Sequence, residues 1–322
     1  MTFTLVMLPP QQAALAGWPA RLEAAVPGVR VLVPETATAA AAALSDADAA
    51  HGALPPELLV HARRLRWLQA PQAAPPPGFY TPELIAHPVI VTNMRDTYTD
   101  QVAHHTLAMV LALARGLPRY GRDQTAARWD PRMEPGAVLA LPGATALVVG
   151  VGAIGAEVGR LLTAFGTRVI GVDGRRTEAP PGFAELHPAD ALDTLLPAAD
   201  IVVVTVPHTP VTEGMFDAPR LALLRPSAFF VNIGRGPTVV LDAVVAALAA
   251  GRLAGVALDV YETEPLPPEH PLWARPDALL TPHVASAGTP ADERRFAVLL
   301  ENVRRFAAGD PLLNVVDKAS WH

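Results

Sequence analysis

An apolar run at residues 146–149 leads straight into Gly150-Val151-Gly152-Ala153-Ile154-Gly155, and a helix-forming stretch follows over 153–165. Few chain paths tolerate that order. The glycines let the backbone turn tightly and approach a phosphate, while the helix's amino end adds N–H donors and a positive dipole. A lone Gly-x-Gly-x-x-Gly is weak evidence, but here a strand-like run precedes it, a helix follows it, and Asp173 ends the next apolar run. Further apolar runs at 168–172, 201–206, 229–233, 255–260 and 279–281 have helical segments between most of them. That alternation predicts a doubly wound parallel sheet.

The amino-terminal third is organised differently. Short apolar runs at 3–8, 29–33, 65–69 and 89–92 alternate with helical stretches, including an Ala-rich one at 36–44, which reads as a surface helix because Ala is the best helix former. From Thr97 the period becomes helical, with Val102, Thr106, Met109, Val110 and Leu113 on one face of a long helix. A Pro-bearing loop at 131–142 follows it. The last helix is predicted with Thr289 as cap, Pro290 in its first turn and a stripe of Phe296, Leu299, Leu300, Val303 and Phe306, ended by Gly309 and Pro311. A chain of 322 residues, 51% of them hydrophobic, has room for two cores.

Charge and cysteine content narrow the partners. A net charge of -6 provides no electrostatic footprint for nucleic acid or for an anionic membrane surface. The absence of cysteine excludes disulfides, thiolate nucleophiles and thiolate metal sites. No metal is expected from histidine either: His51, His61, His87, His187 and His322 lack ligand spacing, and the adjacent His104 and His105 point to different faces of a helix. The run at 3–8 is too short for a signal-peptide core and no run approaches a membrane span, so a cytoplasmic protein is expected.

Three charged residues, Arg235, Glu264 and His283, each follow closely on a predicted strand, at the end where α/β sheets collect ligands. The Arg235 guanidinium can grip a carboxylate in two hydrogen bonds or reach toward a carbonyl oxygen. His283 is suited to exchange a proton with a hydroxyl near neutral pH, and a carboxylate beside it would stabilise its charged form. Glu262 and Glu264 both qualify as that carboxylate. These groups fit hydride transfer: a 2-oxo acid held and polarised by Arg235 receives hydride from a nicotinamide while His283 supplies the proton, or the reverse. Asp173 can accept both hydroxyls of an adenosine ribose, which favours NAD, whereas Arg175 and Arg176 could pair with the extra phosphate of NADP.

With these motifs in hand, nearly the whole chain resembles the D-isomer-specific 2-hydroxyacid dehydrogenase family, and its glyoxylate/hydroxypyruvate reductases in particular. The matching segments are 148–155, 204–210, Asn232-Ile233-Gly234-Arg235-Gly236, 257–265 and Thr281-Pro282-His283. The resemblance implies that Arg235, Glu264 and His283 are catalytic and settles the rivalry in favour of Glu264. It implies cofactor contacts at Gly150, Gly152, Ala153, Ile154, Gly155, Asp173, Arg175, Pro207, Ile233 and Asp259. It also implies a Rossmann coenzyme domain over 96–287, inserted into a smaller flavodoxin-like α/β substrate domain made of 1–95 and 288–322, and a homodimer paired through the coenzyme domain.

Departures from the family pattern cluster near the substrate. Where a small-Gly-Val turn usually binds the substrate carboxylate through its N–H groups, this chain has 69–75; Ala73 and Ala74 keep their donors, Pro75 has none. Ala103-His104-His105 stands where Ala-Glu-His is common, and Asp96 where Gly is frequent. Substrate contacts are therefore expected at Ala73, Ala74, Arg235 and His283. Two other functions stay open at this point: a dinucleotide-sensing module that recruits partners without turnover, and oxidation of a phosphite-type anion.

Overall fold

The structure, a computed structural model, describes residues 2–73, 75, 78–131, 138–287 and 291–321. It divides into two compact units, one formed by Met1–Thr97 with Gly288–His322 and one by Tyr98–Ala287.

The first unit is built on a five-stranded parallel sheet of β1 (Phe3–Met7), β2 (Val29–Leu32), β3 (Ala49–His51), β4 (Trp67–Gln69) and β5 (Ile90–Thr92), in the order β2-β1-β3-β4-β5. That is the flavodoxin-like order. Helices cover both faces, so the strands are apolar on both sides and two buried clusters form. One gathers Val6, Leu44, Leu68 and Leu84; the other gathers Leu5, Trp18, Trp67, Phe296 and Leu299. The Ala-rich stretch is the helix Ala37–Leu44, with the Thr36 hydroxyl accepting from the Ala39 N–H and with Ala40 and Leu44 buried. The helix Ala291–Ala308 buries Phe296, Leu299 and Val303, and Gly309 beyond it has φ 79°. The proposed cap, Thr289, and Pro290 lie outside the described residues.

The second unit carries seven parallel strands: β6 (Thr145–Val149), β7 (Arg168–Val172), β8 (Glu185–His187), β9 (Ile201–Val204), β10 (Phe229–Asn232), β11 (Gly255–Leu258) and β12 (Ala278–Leu280). Their order is β12-β11-β10-β9-β6-β7-β8, the doubly wound arrangement, with its switch between β6 and β9. The helix Thr99–Ala114 buries Val102, Thr106, Met109, Val110 and Leu113, the face the sequence period marks.

Register fixes the working edge of this sheet. Val172, Val149, Val204, Asn232, Leu258 and Leu280 stand in one row across six strands. Asp173, Gly150, Thr205, Ile233, Asp259 and Thr281 each come one residue later, so residues far apart in sequence leave the sheet side by side at its carboxyl edge.

Candidate active site

The glycine-rich turn lies at the switch. Gly150 has φ 94°, and a Cβ on Gly155 would stand 2.0 Å from the Gly150 carbonyl oxygen, so both positions demand glycine. A Cβ on Gly152 would meet nothing within 4 Å. Gly152 precedes the helix Ala153–Ala164, which has no side-chain cap. The first-turn N–H groups of a helix, here at Ala153, Ile154 and Gly155, have no intrahelical acceptor and can serve an anion. This geometry fits a dinucleotide pyrophosphate.

Asp173 is bonded within the protein. Its Oδ2 accepts from the Val151 N–H at 2.7 Å, and its Oδ1 accepts from the N–H groups of Arg175 and Arg176, each at 2.8 Å. Burial works to raise this carboxyl, but the Arg176, Arg175 and Val151 donors and the Arg176 charge outweigh it and hold it below the usual carboxylate range. Across the switch, the Pro207 carbonyl accepts the Thr212 hydroxyl, and Ile233 is buried.

Arg235 reaches the edge through a tight crossing. A Cβ on Gly236 would stand 1.7 Å from the Tyr261 carbonyl oxygen, so only glycine lets the chain after β10 lie directly against the chain leaving β11. The guanidinium donates to the Gly234 carbonyl at 2.6 Å. Burial pulls its pKa below the ordinary value, and the carboxylates of Glu264 and Asp259 oppose that pull.

Glu264 and His283 meet. The imidazole Nδ1 lies 2.7 Å from Glu264 Oε2; with a carboxylate as its partner Nδ1 is the donor, so Nε2 is the nitrogen open to chemistry. The other Glu264 oxygen accepts the Tyr261 N–H at 3.0 Å. His283 has φ 53°, a left-handed backbone that a residue with a Cβ adopts only when its surroundings enforce it. The rival carboxylate has different work: Glu262 Oε2 accepts the Leu241 N–H at 2.7 Å and caps the helix Leu241–Ala249.

Asp259 supplies much of that enforcement. Its carbonyl accepts the His283 N–H at 2.8 Å, and its buried carboxylate accepts the Thr281 hydroxyl and the N–H groups of Val284 and Ala285. His105 Nε2 lies 3.1 Å from Thr281 Oγ1 and 3.7 Å from Asp259 Oδ1. From the sequence, His105 reads as a poor metal ligand and as part of the Ala103-His104-His105 departure, and Thr281 and Tyr261 carry no assigned roles. The pattern in which they stand offers no signal, because the bonds that tie them to the His283 turn, Tyr261 to Thr281 and Thr281 to Asp259, cross 20 and 22 residues. Among the described residues no group of three or more His, Asp or Glu is placed to hold a metal ion, and no helix is long and apolar enough to cross a membrane.

In the first unit, the stretch after β4 is tied down by its main chain: the Ala73 carbonyl accepts from Asn93 Nδ2 at 2.7 Å, and the Gln72 carbonyl accepts the Met94 N–H. Ala74 lies outside the described residues. Asp96 has φ 71°, which explains why glycine suits that position; a short polar side chain such as Asp tolerates it.

Residues 107–285 match the D-isomer specific 2-hydroxyacid dehydrogenase, NAD binding domain. The chain belongs to this family. The dehydrogenase is thus an NAD(P)-dependent oxidoreductase that interconverts 2-oxo and 2-hydroxy acids. Among its relatives, a glyoxylate reductase of Thermofilum pendens is 34% identical over 240 residues, 74% of this chain and 70% of the relative. Of solved structures, a D-isomer specific 2-hydroxyacid dehydrogenase of Xanthobacter autotrophicus Py2, in complex with NADPH and MES, is 30% identical with TM-score 0.85 and covers 100% of both chains. An NADPH-dependent glyoxylate/hydroxypyruvate reductase of Sinorhizobium meliloti, in complex with NADP and sulfate, is 28% identical with TM-score 0.84, again over 100% of both chains.

Proposed function

We infer that this dehydrogenase reduces small 2-oxo acids of the glyoxylate and hydroxypyruvate type to D-2-hydroxy acids, with Arg235, Glu264 and His283 as its catalytic residues. The observation that carries the reading is the 2.7 Å contact between His283 Nδ1 and Glu264 Oε2, on the same sheet edge as a guanidinium that both Glu264 and Asp259 influence. The bound dinucleotide supplies hydride in reduction and takes it in oxidation. Arg235 pairs with the substrate carboxylate or carbonyl oxygen and favours negative charge growing on that oxygen. His283 Nε2 delivers the proton to that oxygen, or removes it from the hydroxyl in the reverse direction. Glu264 holds the imidazole in the tautomer and orientation this requires, and balances its charge when protonated.

The second unit is read as the coenzyme domain and the first as the substrate domain, where Ala73 and Ala74 are candidates to bind the substrate carboxylate. NADPH is the cofactor read as preferred. The expectation of NAD rested on a ribose-binding Asp173, but that carboxylate accepts three main-chain N–H groups and so presents Arg175 and Arg176 in a fixed turn. Both NADP-bound neighbours support the same choice. A cytoplasmic homodimer completes the reading, supported by the family resemblance and the need for a cellular dinucleotide pool.

The test is a spectrophotometric screen of glyoxylate, hydroxypyruvate, pyruvate and bulkier 2-oxo acids with NADPH and NADH, on the wild type and His283→Ala. Turnover is expected on the two smallest oxo acids that carry polar or no substituents. His283→Ala should lower kcat by about a hundredfold or more while NADPH still binds. Tight cofactor binding without turnover of any acid would instead identify a dinucleotide sensor.

A further inference from the structure

Tyr261 bonds Glu264 directly and shares an acceptor, the Thr281 carbonyl, with the backbone of His283. Its main-chain N–H donates to Glu264 Oε1 at 3.0 Å. Its ring is buried, 5% exposed, and its hydroxyl lies 2.9 Å from the Leu258 carbonyl and 3.0 Å from the Thr281 carbonyl. A phenol has one proton, so the donation is shared between two carbonyls on neighbouring strand ends. The Thr281 carbonyl has a second donor, the His283 N–H at 3.1 Å, which closes the turn Thr281-Pro282-His283. The hydroxyl therefore sits on the oxygen around which the left-handed His283 backbone folds. Burial, with the nearby Asp259 carboxylate, pushes the phenol pKa up, so the hydroxyl stays a donor through the working pH range.

We propose that the Tyr261 hydroxyl is a positioning group for catalysis: by bonding the Thr281 carbonyl it holds the turn that aims His283 at Glu264 and substrate. Packing alone does not need this oxygen. Phenylalanine would fill the same buried space and keep the N–H bond to Glu264, while leaving the Thr281 carbonyl with one donor fewer. The loss would fall on the orientation of the imidazole and not on the binding of either substrate. It would appear in the transition state, where proton transfer depends on that orientation.

Steady-state kinetics of Tyr261→Phe, with glyoxylate and NADPH over a range of pH, test the proposal. The expected result is a fall in kcat of about fivefold, KM values for both substrates within about twofold of wild type, and a displaced pH profile of kcat. A variant that unfolds at lower temperature yet keeps the wild-type kcat and pH profile would reduce the hydroxyl to a structural bond and overturn the proposal. A fall in kcat with an undisplaced pH profile would do the same, because the effect would then not pass through the imidazole. The proposal rests on His283 as acid and base, and the two can fail separately. A His283→Ala variant that still turns over removes that reading, whereas an inactive His283→Ala beside an unimpaired Tyr261→Phe removes this proposal alone.

Discussion

Asp173 shows how one carboxylate's bonds redirect a prediction made from its position. As the residue just after β7 it stands where an acid meets a ribose diol, yet three N–H groups already bond its two oxygens. If its work is to hold the turn that carries Arg175 and Arg176, then Asp173→Ala should weaken NADPH and NADH alike, by about tenfold, in fluorescence titrations. Replacing both arginines by alanine should weaken NADPH alone, by a similar factor, and leave NADH unchanged. Asp173→Ala that instead improved NADPH binding would restore the ribose-acceptor role. At this scale the sequence is most legible where a residue acts by its own chemistry. Arg235, Glu264 and His283 could be proposed from sequence because a guanidinium, a carboxylate and an imidazole after strand ends suit substrate and proton chemistry, and the family pattern separated Glu264 from Glu262. The bonds by which Asp259, Thr281 and Tyr261 hold the His283 turn were not legible, since each depends on acceptors or donors about twenty residues away, or on a single oxygen, that no spacing rule encodes.

Elements were legible in proportion to how strongly their own residues favour them. The runs rich in Val and Ile, such as β6, β7 and β9, formed strands close to where the pattern set them, ending somewhat early at β9 and β11 because the chain must leave the sheet to build the site. Two strands were missed. Edge strand β8 reads Glu-Leu-His and stays half-exposed, so it lacks an apolar signature. Strand β3 reads Ala-Ala-His, poor in intrinsic strand preference, and forms because β1 and β4 pair with it on either side. Its last residue has an energetic consequence. Burial, with the Arg295 charge adding to it, pulls the His51 imidazole from 6.5 to about 4, and its buried Nε2 has no hydrogen-bond partner among the described residues. Between those two values the unfolded chain binds a proton that the folded state refuses, so stability increases with pH across the window. The first unit should therefore be fully stable above about pH 6.5 and lose on the order of 3 kcal/mol by about pH 4 from this group alone. Urea unfolding of wild type and His51→Gln over that range measures the difference. Equal pH slopes for the two proteins would show that His51 is not held neutral.

At the scale of the whole chain, each unit has buried clusters of its own, and the tryptophans are unevenly shared between them. Trp18 and Trp67, 2% and 0% exposed, belong to the first unit, whereas Trp129 and Trp273 of the second are 93% and 51% exposed. A red shift of tryptophan emission on unfolding therefore reports mainly the first unit. The elements that would hold the dinucleotide, namely the turn after β6, the Asp173 turn and the helix Ala153–Ala164, all belong to the second. A ligand stabilises only the cooperative unit whose native state it binds, by about 2.7 kcal/mol at a hundred times its Kd. Saturating NADPH should accordingly slow hydrogen exchange in peptides spanning β6 to β7 by an equivalent of about 2.7 kcal/mol, while the urea midpoint of the tryptophan red shift stays in place. If emission and exchange moved together, the two units would be unfolding as one cooperative body, and the stabilisation could no longer be assigned to the second unit alone. If the tryptophan midpoint moved and exchange near β6 did not, the dinucleotide would be held by the first unit, against every contact assigned to the glycine-rich turn.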